Sequence, residues 1–401
     1  MLRGTIIAQI IAFIGAVFLA KLYGEEAYGF FGLFISLISI ISIISSLQLE
    51  KCIVISNTEK TSSNWFNFLL MLIPFITTLL FFLLFIFSCF FYREKLSLPI
   101  LIMAFLGTVF FSVNLLHQSF FTYKKQFSII SNSKIFLTLI NVFLQFILFS
   151  AFNLLGLIIG FLISQFLILG YYFFKNKNVI SKTDKKEIKK GLKENAKIIK
   201  FLLPSNVING LANHLMPILI LSFFGAKEAG VYFFSMRILG SPLFLISSSI
   251  SQVFFQKSSE LFKENKKELF KLTKKIIASN LLLMLVFLIL LNTIGIYLLE
   301  IYFNGKWVNL RLYILILSIF MFARTSFSPI SNLIVVLNKN FTSLIFNCYL
   351  LFVNLIAIYF GYLFSDITKT IYILTIFGGL GYVLLVGYFL KHLKVIAKNN
   401  D

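Results

Sequence analysis

Long apolar runs, bounded by turn residues and charges, recur along the whole chain. They fall at 4–22, 28–49, 65–91, 97–121, 134–151 and 154–174, then at 201–223, 229–254, 276–298, 311–337, 340–363 and 369–390. A helix rises about 1.5 Å per residue, so each run is long enough to cross a hydrocarbon core of roughly 30 Å. Within that core only a helix or a closed barrel satisfies its own backbone, and barrel strands would be about ten residues long with alternating polarity. The runs show neither feature. The pattern predicts an all-α integral membrane protein of about 12 transmembrane helices. The opening Met1-Leu2-Arg3 resembles the start of a signal peptide, but span follows span, so it reads as an uncleaved first helix.

Composition agrees. Of 401 residues 59% are hydrophobic and 13% charged, where a soluble domain carries about 25% charged and 45–50% apolar residues. A water-soluble globule is excluded, because it could not hide that much apolar surface. Cys52, Cys89 and Cys348 are scattered, which predicts no disulfide or zinc framework, and no cofactor or metal is implied.

The formal net charge of +21 raises the question of nucleic acid, and the positions of the charges answer it. With the N-terminus in the cytoplasm, inside segments hold 27 of the 36 Lys and Arg and outside segments hold seven (Lys21, Arg93, Lys95, Lys227, Lys306, Arg311, Lys369). Such a bias sets orientation and places both termini inside. Two basic stretches dominate, 182–200 and 257–275, and each abuts a span, which is unlike a nucleic-acid site. In the first, Ile188, Leu192 and Ile199 share one helical stripe among lysines. That pattern fits a helix on an anionic leaflet and fits a solvated linker equally well. The second, with Leu261, Phe262, Leu269 and Phe270, behaves alike.

Six spans precede the basic linker and six follow. The first outside turn, Gly24-Glu25-Glu26-Ala27-Tyr28-Gly29, has a counterpart 201 residues on in Gly225-Ala226-Lys227-Glu228-Ala229-Gly230. Glycines five apart at the half-repeat point to duplication. The expected organisation is an N-terminal six-helix bundle over 1–174, a basic, partly amphipathic linker over 175–200, and a C-terminal bundle with a basic tail over 201–401. Parallel repeats of this kind suit a transporter with a central site.

An ionisable group in hydrocarbon costs roughly 2.5–3.5 kcal/mol and is a functional candidate by default. All fifteen carboxylates fall in loops or at span ends, with Glu50, Glu300 and Asp366 nearest the membrane. Two arginines lie inside spans, Arg237 in the eighth and Arg324 in the tenth, with no carboxylate in their own spans. A guanidinium fork suits phosphate oxygens, which predicts a cationic cavity for an anionic substrate; capping of carbonyls or snorkelling to the interface is the structural alternative. Polar faces add Asn206, Asn209, Asn213 and His214 in span seven, bracketed by Pro204 and Pro217, which should bend or break the helix. Span four offers Asn114, His117 and Gln118, span five Asn141 and Gln145, and span eleven Asn347 and Asn354. Any one of these amides can simply bond a neighbouring helix; together they suggest a polar interior. No Walker motif, loop G-x-S-x-G or HExxH occurs, so no enzyme is expected.

The opening, from Arg3 and Gln9 to Ala20-Lys21-Leu22-Tyr23-Gly24-Glu25-Glu26-Ala27-Tyr28-Gly29, resembles that of oligosaccharide flippases, where a span with an early Gln enters an "L-G-x-x-x-[FY]-G" turn. Leu47-Gln48-Leu49-Glu50-Lys51 is similar to that family's exit from span two, and length, span count, duplicated halves and basic mid-linker resemble it over the whole chain. The resemblance is to Wzx-type O-antigen or polysaccharide repeat-unit flippases of the multidrug/oligosaccharidyl-lipid/polysaccharide exporter superfamily. It implies an undecaprenyl-pyrophosphate-linked oligosaccharide moved from the cytoplasmic to the periplasmic leaflet of a bacterial inner membrane, by rocking of two bundles. Arg237 and Arg324 would hold the pyrophosphate, and the Asn, Gln and His faces would meet sugar hydroxyls. Family cavities usually hold more basic residues than two. Implied partners are the lipid-linked oligosaccharide, membrane lipids, and the polymerase and chain-length machinery of the pathway. A multidrug exporter of the same superfamily would need intramembrane carboxylates. An O-antigen polymerase would need a large periplasmic loop, and a membrane glycosyltransferase a loop carboxylate motif.

Overall fold

The structure, a computed structural model, describes residues 2–91, 98–176 and 183–398. Arg93 and Lys95, counted above to the outside, and Lys177 and Lys182 of the linker lie outside the described residues. The described residues form helices and turns only, and they fall into two compact units, Met1–Ile218 and Leu219–Asp401.

The first unit contains α1 (Leu2–Ser45), α2 (Glu50–Val54), α3 (Glu59–Phe91), α4 (Leu98–Tyr123), α5 (Phe127–Ile147), α6 (Phe149–Phe152), α7 (Gly156–Lys175), α8 (Lys185–Glu194) and most of α9 (Leu203–Phe224). The second contains α10 (Ala226–Glu264), α11 (Lys266–Leu290), α12 (Ile296–Phe303), α13 (Leu310–Phe327), α14 (Leu333–Val336), α15 (Asn340–Leu363) and α16 (Ile367–Lys398). The sequence reading put the join at 200/201; the division between units lies inside α9, just past Pro217, and α9 runs unbroken through that proline.

Ten helical stretches among the described residues are long and apolar enough to cross a membrane. One of them, α1, is two helices joined at Gly24, which adopts φ 78, ψ −179. Together with α10, which carries the predicted run 229–254, these make the twelve spans of the sequence. Gly225, the repeat partner of Gly24, has φ 94, ψ 172 and starts α10 as its N-cap. Both glycines occupy a region of backbone space that is essentially closed to side chains. A Cβ at either would meet nothing within 4 Å, so backbone conformation alone demands glycine there. The duplicated turn is therefore one conformation used twice.

Contacts within the units report which spans run together. Gly4 faces Ser131 and Gly15 faces Val142, a constant offset of 127, so the first half of α1 lies parallel to α5. Phe34 meets Gly107 and Ser45 bonds Ser112 at 3.0 Å, which sets the second half of α1 parallel to α4. Then α4 runs parallel to α7, where Phe110 meets Phe166 and His117 meets Tyr172. In the second unit α13 is parallel to α16, with Phe320 against Tyr382 and Phe327 against Phe389. Neighbours in sequence are antiparallel: α15 and α16 pair through Gly361 with Thr370 and Gly381 with Tyr349. Parallel pairing of alternate spans is what one crossing per helix requires.

Helices extend beyond the apolar runs where the chain is basic. The stretch 257–275 continues α10 and α11 as a helical hairpin turned at Asn265, whose side chain accepts the Glu268 amide at 3.0 Å. Leu261 and Leu269 are buried on it. The linker forms α8, capped by Asp184, which accepts the Lys186 and Glu187 amides at 3.0 and 3.3 Å. Its apolar stripe packs on the protein, joining Ile188 and Leu192 to a cluster that includes Leu49, Cys52, Ile53, Trp65 and Phe66. Glu187 accepts from Thr61 at 2.6 Å and from Asn64, and Gly191 lies over the Trp65 ring, where a Cβ would come within 2.7 Å. Burial in this cluster pushes the Cys52 thiol up to about 11. Thus the stripe that suited either a membrane surface or a solvated linker packs in part against α2 and α3.

Candidate functional site

The two intramembrane arginines stand on neighbouring parallel helices of the second unit. Asn309 donates to Glu228 at 3.1 Å, Gly240 faces the methyl of Met321, and Asn332 donates to Ser251 at 2.9 Å. All three pairs are 81 residues apart, so α10 and α13 keep one register from end to end. Arg237 lies three residues before Gly240 and Arg324 three residues after Met321. Side chains three apart share a helix face, so both arginines flank the α10–α13 seam. In this register Arg237 is level with Ser318, and Arg324 lies six residues further along, about 9 Å at 1.5 Å per residue. Both are half-buried.

The surroundings of the pair are fixed by polar ties. Asn280 of α11 donates to the Thr325 carbonyl at 2.6 Å, immediately beside Arg324, and Asn292 donates to Ser318 at 2.9 Å. Tyr232, buried on α10, lies within electrostatic reach of Arg324. At the outer end Glu228 also accepts from Tyr313. Among the described residues Arg237 has no carboxylate partner. The carboxylates sit at helix ends, in turns or in the basic stretches. Glu300 pairs with Arg311 at 3.5 Å, and Asp366 accepts from the hydroxyl and amide of Thr368. The hydroxyl bond holds the Asp366 carboxyl below its usual range.

Amides of the first unit bond neighbouring helices, the alternative the sequence left open for each of them. Asn114 is buried and donates to the Gln165 side chain at 2.7 Å and its carbonyl at 3.0 Å. His117 is fully buried, its Nδ1 2.9 Å from the Val113 carbonyl, between the rings of Phe66, Tyr172 and Phe173. Gln118 is half-buried one residue on, and the Tyr172 hydroxyl meets Ser133 at 2.5 Å. Gln145 is buried, donates to the Leu157 carbonyl at 2.8 Å, and takes the Tyr23 hydroxyl on its own carbonyl at 2.5 Å. Asn141 accepts from Ser164 at 3.4 Å. These side chains join α4 to α7 and α5 to α1 and α7. They hold helices together inside the unit.

On α9, Asn206 donates to Gln48 at 2.6 Å, while Asn209 and Asn213 are exposed, bonded to each other at 2.6 Å, and His214 is half-buried. Pro217, inside α9, has no N–H to donate to the helix. The exposed amides of Asn209 and Asn213 make this a polar face of the first unit. Sequence reasoning missed Gln165, Tyr172, Asn280, Asn292 and Tyr232. The signals were Gln165, the lone amide of the run 154–174, and Asn280 and Asn292, the two amides of the run 276–298.

The fold is that of transporters of the MOP superfamily. A lipid II flippase, MurJ, in an inward closed conformation matches at a TM-score of 0.74 and 15% identity, covering 99% of this chain and 89% of that one. An inward-facing multidrug resistance MATE family transporter matches at 0.68 and 13% identity over 96% and 95%. A MOP transporter from Pyrococcus furiosus, described as having a binding pocket of reverse polarity, matches at 0.54 and 13% over 98% and 96%. No curated protein matches the sequence. Residues 18–311 match the family described as polysaccharide biosynthesis protein, and the chain belongs to that family. It is a multi-pass membrane protein.

Proposed function

We propose that the protein is a flippase that moves undecaprenyl-pyrophosphate-linked oligosaccharide repeat units from the cytoplasmic to the periplasmic leaflet of a bacterial inner membrane by alternating access. The observation that carries the reading is the pair Arg237 and Arg324 on the α10–α13 seam, with no carboxylate partner for Arg237 among the described residues. A guanidinium held in a membrane span at a cost of roughly 2.5–3.5 kcal/mol is explained if an anion meets it during transport. The fork geometry suits a pyrophosphate, which offers several oxygens at once. Membership of a polysaccharide biosynthesis family supports a saccharide cargo, and the fold shared with a lipid II flippase supports a lipid-linked one. The exposed amides of Asn209 and Asn213 would meet sugar hydroxyls. Translocated units would pass to the polymerase and chain-length machinery.

The test is complementation in a cell lacking the gene. Arg324→Ala is expected to abolish surface polysaccharide at normal membrane abundance. Arg324→Lys is expected to restore part of it, since lysine keeps the charge and loses the fork. Normal polysaccharide from Arg324→Ala would remove this arginine from the transport site.

A further inference from the structure

A groove of about 540 Å³ lies between α3 and α8, away from the arginine pair and independent of the flippase reading. Cavities of ~300–1,000 Å³ hold small organic ligands. One wall is α3, through Phe68, Met71, Leu72 and Phe75, and the other is the apolar stripe of α8, Ile188 and Leu192. Met71 and Phe75 are 75% and 69% exposed on a span, so this wall faces lipid. The run that forms the span begins near Trp65, so Phe68 to Phe75 occupy depths of about 5 to 15 Å, roughly one leaflet of a 30 Å core. At the mouth stand Lys185 and Lys189, one helical turn apart on α8, and Thr183, whose hydroxyl is buried without a partner. Neither lysine ammonium has an ion pair or hydrogen bond among the described residues, whereas Lys190 of the same helix is paired to Glu194. Apolar walls at acyl depth and free ammonium groups at headgroup level are the two halves of one ligand.

We propose that this groove binds an anionic phospholipid of the leaflet on the α8 side, one acyl chain along α3 and the phosphate against Lys185 and Lys189. Charge complementarity decides the occupant: a neutral lipid fills the walls but leaves both ammonium groups unmatched. A basic residue near an anionic surface contributes about 1 kcal/mol, a preference of about fivefold, so two give a preference of roughly 30-fold over a zwitterionic lipid. Bound there, the lipid would fasten α8 to α3 through the membrane itself.

Trp65 provides the probe, because its ring is 6.1 Å from that of Phe68, and Trp307 is the other tryptophan of the chain. The full-length Trp307→Phe protein in nanodiscs would be titrated with phosphatidylglycerol or phosphatidylcholine brominated on the acyl chain. Stronger Trp65 quenching by the anionic lipid at equal mole fraction is expected. Its excess should vanish in Lys185→Gln/Lys189→Gln, two exposed positions, while quenching by phosphatidylcholine stays unchanged. Equal quenching by both lipids, or an excess that survives the double substitution, would overturn the proposal. So would displacement of the brominated lipid by polyprenyl phosphate but not by unlabelled phosphatidylglycerol, which would assign the groove to a polyprenyl tail.

Discussion

Replacing Asn114 with leucine removes both bonds that its amide donates across the α4–α7 interface and leaves the Gln165 side chain buried beside hydrocarbon. Inter-helix hydrogen bonds in membranes average about 0.6 kcal/mol and reach roughly 1.7. Two bonds from one amide, with a stranded acceptor 3% exposed, belong at the upper end, so a loss of about 1–2 kcal/mol is expected. In a Gln165→Leu background the same substitution should cost less, because no side-chain acceptor is stranded, which gives a coupling energy of about 1 kcal/mol in a double-mutant cycle. Reversible unfolding in mixed micelles measures the stability term, and lipid-linked sugar translocated per folded molecule in proteoliposomes measures function. The tie predicts lower stability with transport per folded molecule unchanged. If Asn114→Leu left stability intact and abolished transport, the residue would be touching cargo and the inter-helix assignment would be wrong.

The repeated turn makes its own prediction. Gly24→Ala and Gly225→Ala should each destabilise by about 1–3 kcal/mol through backbone strain alone, and the losses should add, since the sites share no partner; thermal unfolding of both singles and the double checks this. Gly191→Leu would drive a side chain into the Trp65 ring, so α8 should undock and its lysines become sensitive to trypsin in inside-out vesicles, with the spans still protected. Alkaline phosphatase fusions after Glu25, Asn153, Ala226, Gly305 and Ile367 should be active and those after Lys190 and Asn265 inactive; a reversal at any of them would break the assigned topology.

The spans and the duplicated turn were legible because each is written in consecutive residues. Hydrocarbon length and a left-handed glycine are local requirements, and Gly24 and Gly225 announce themselves at the half-repeat. The polar faces were legible as faces only. Asn114 and Gln145 look from the sequence like any other amide in a span; what decides their role is Gln165 and the Leu157 carbonyl, which lie on other helices. Asn280 was missed for the same reason, since its partner is a backbone carbonyl 45 residues away, a group every position possesses. The helix α8 shows the converse limit. Ile188 and Leu192 recur at the same spacing whether they will meet a bilayer or Trp65, and the spacing does not tell the two apart.

The conformation shared by Gly24 and Gly225 also limits how the protein moves. At each point one span passes into the next through a single residue, with no loop to take up slack. Two rods joined in this way can change the angle between them, but neither can slide along the other. Whatever rearrangement accompanies transport, these two span pairs are confined to hinge motion, and shear must be found where longer connections allow it.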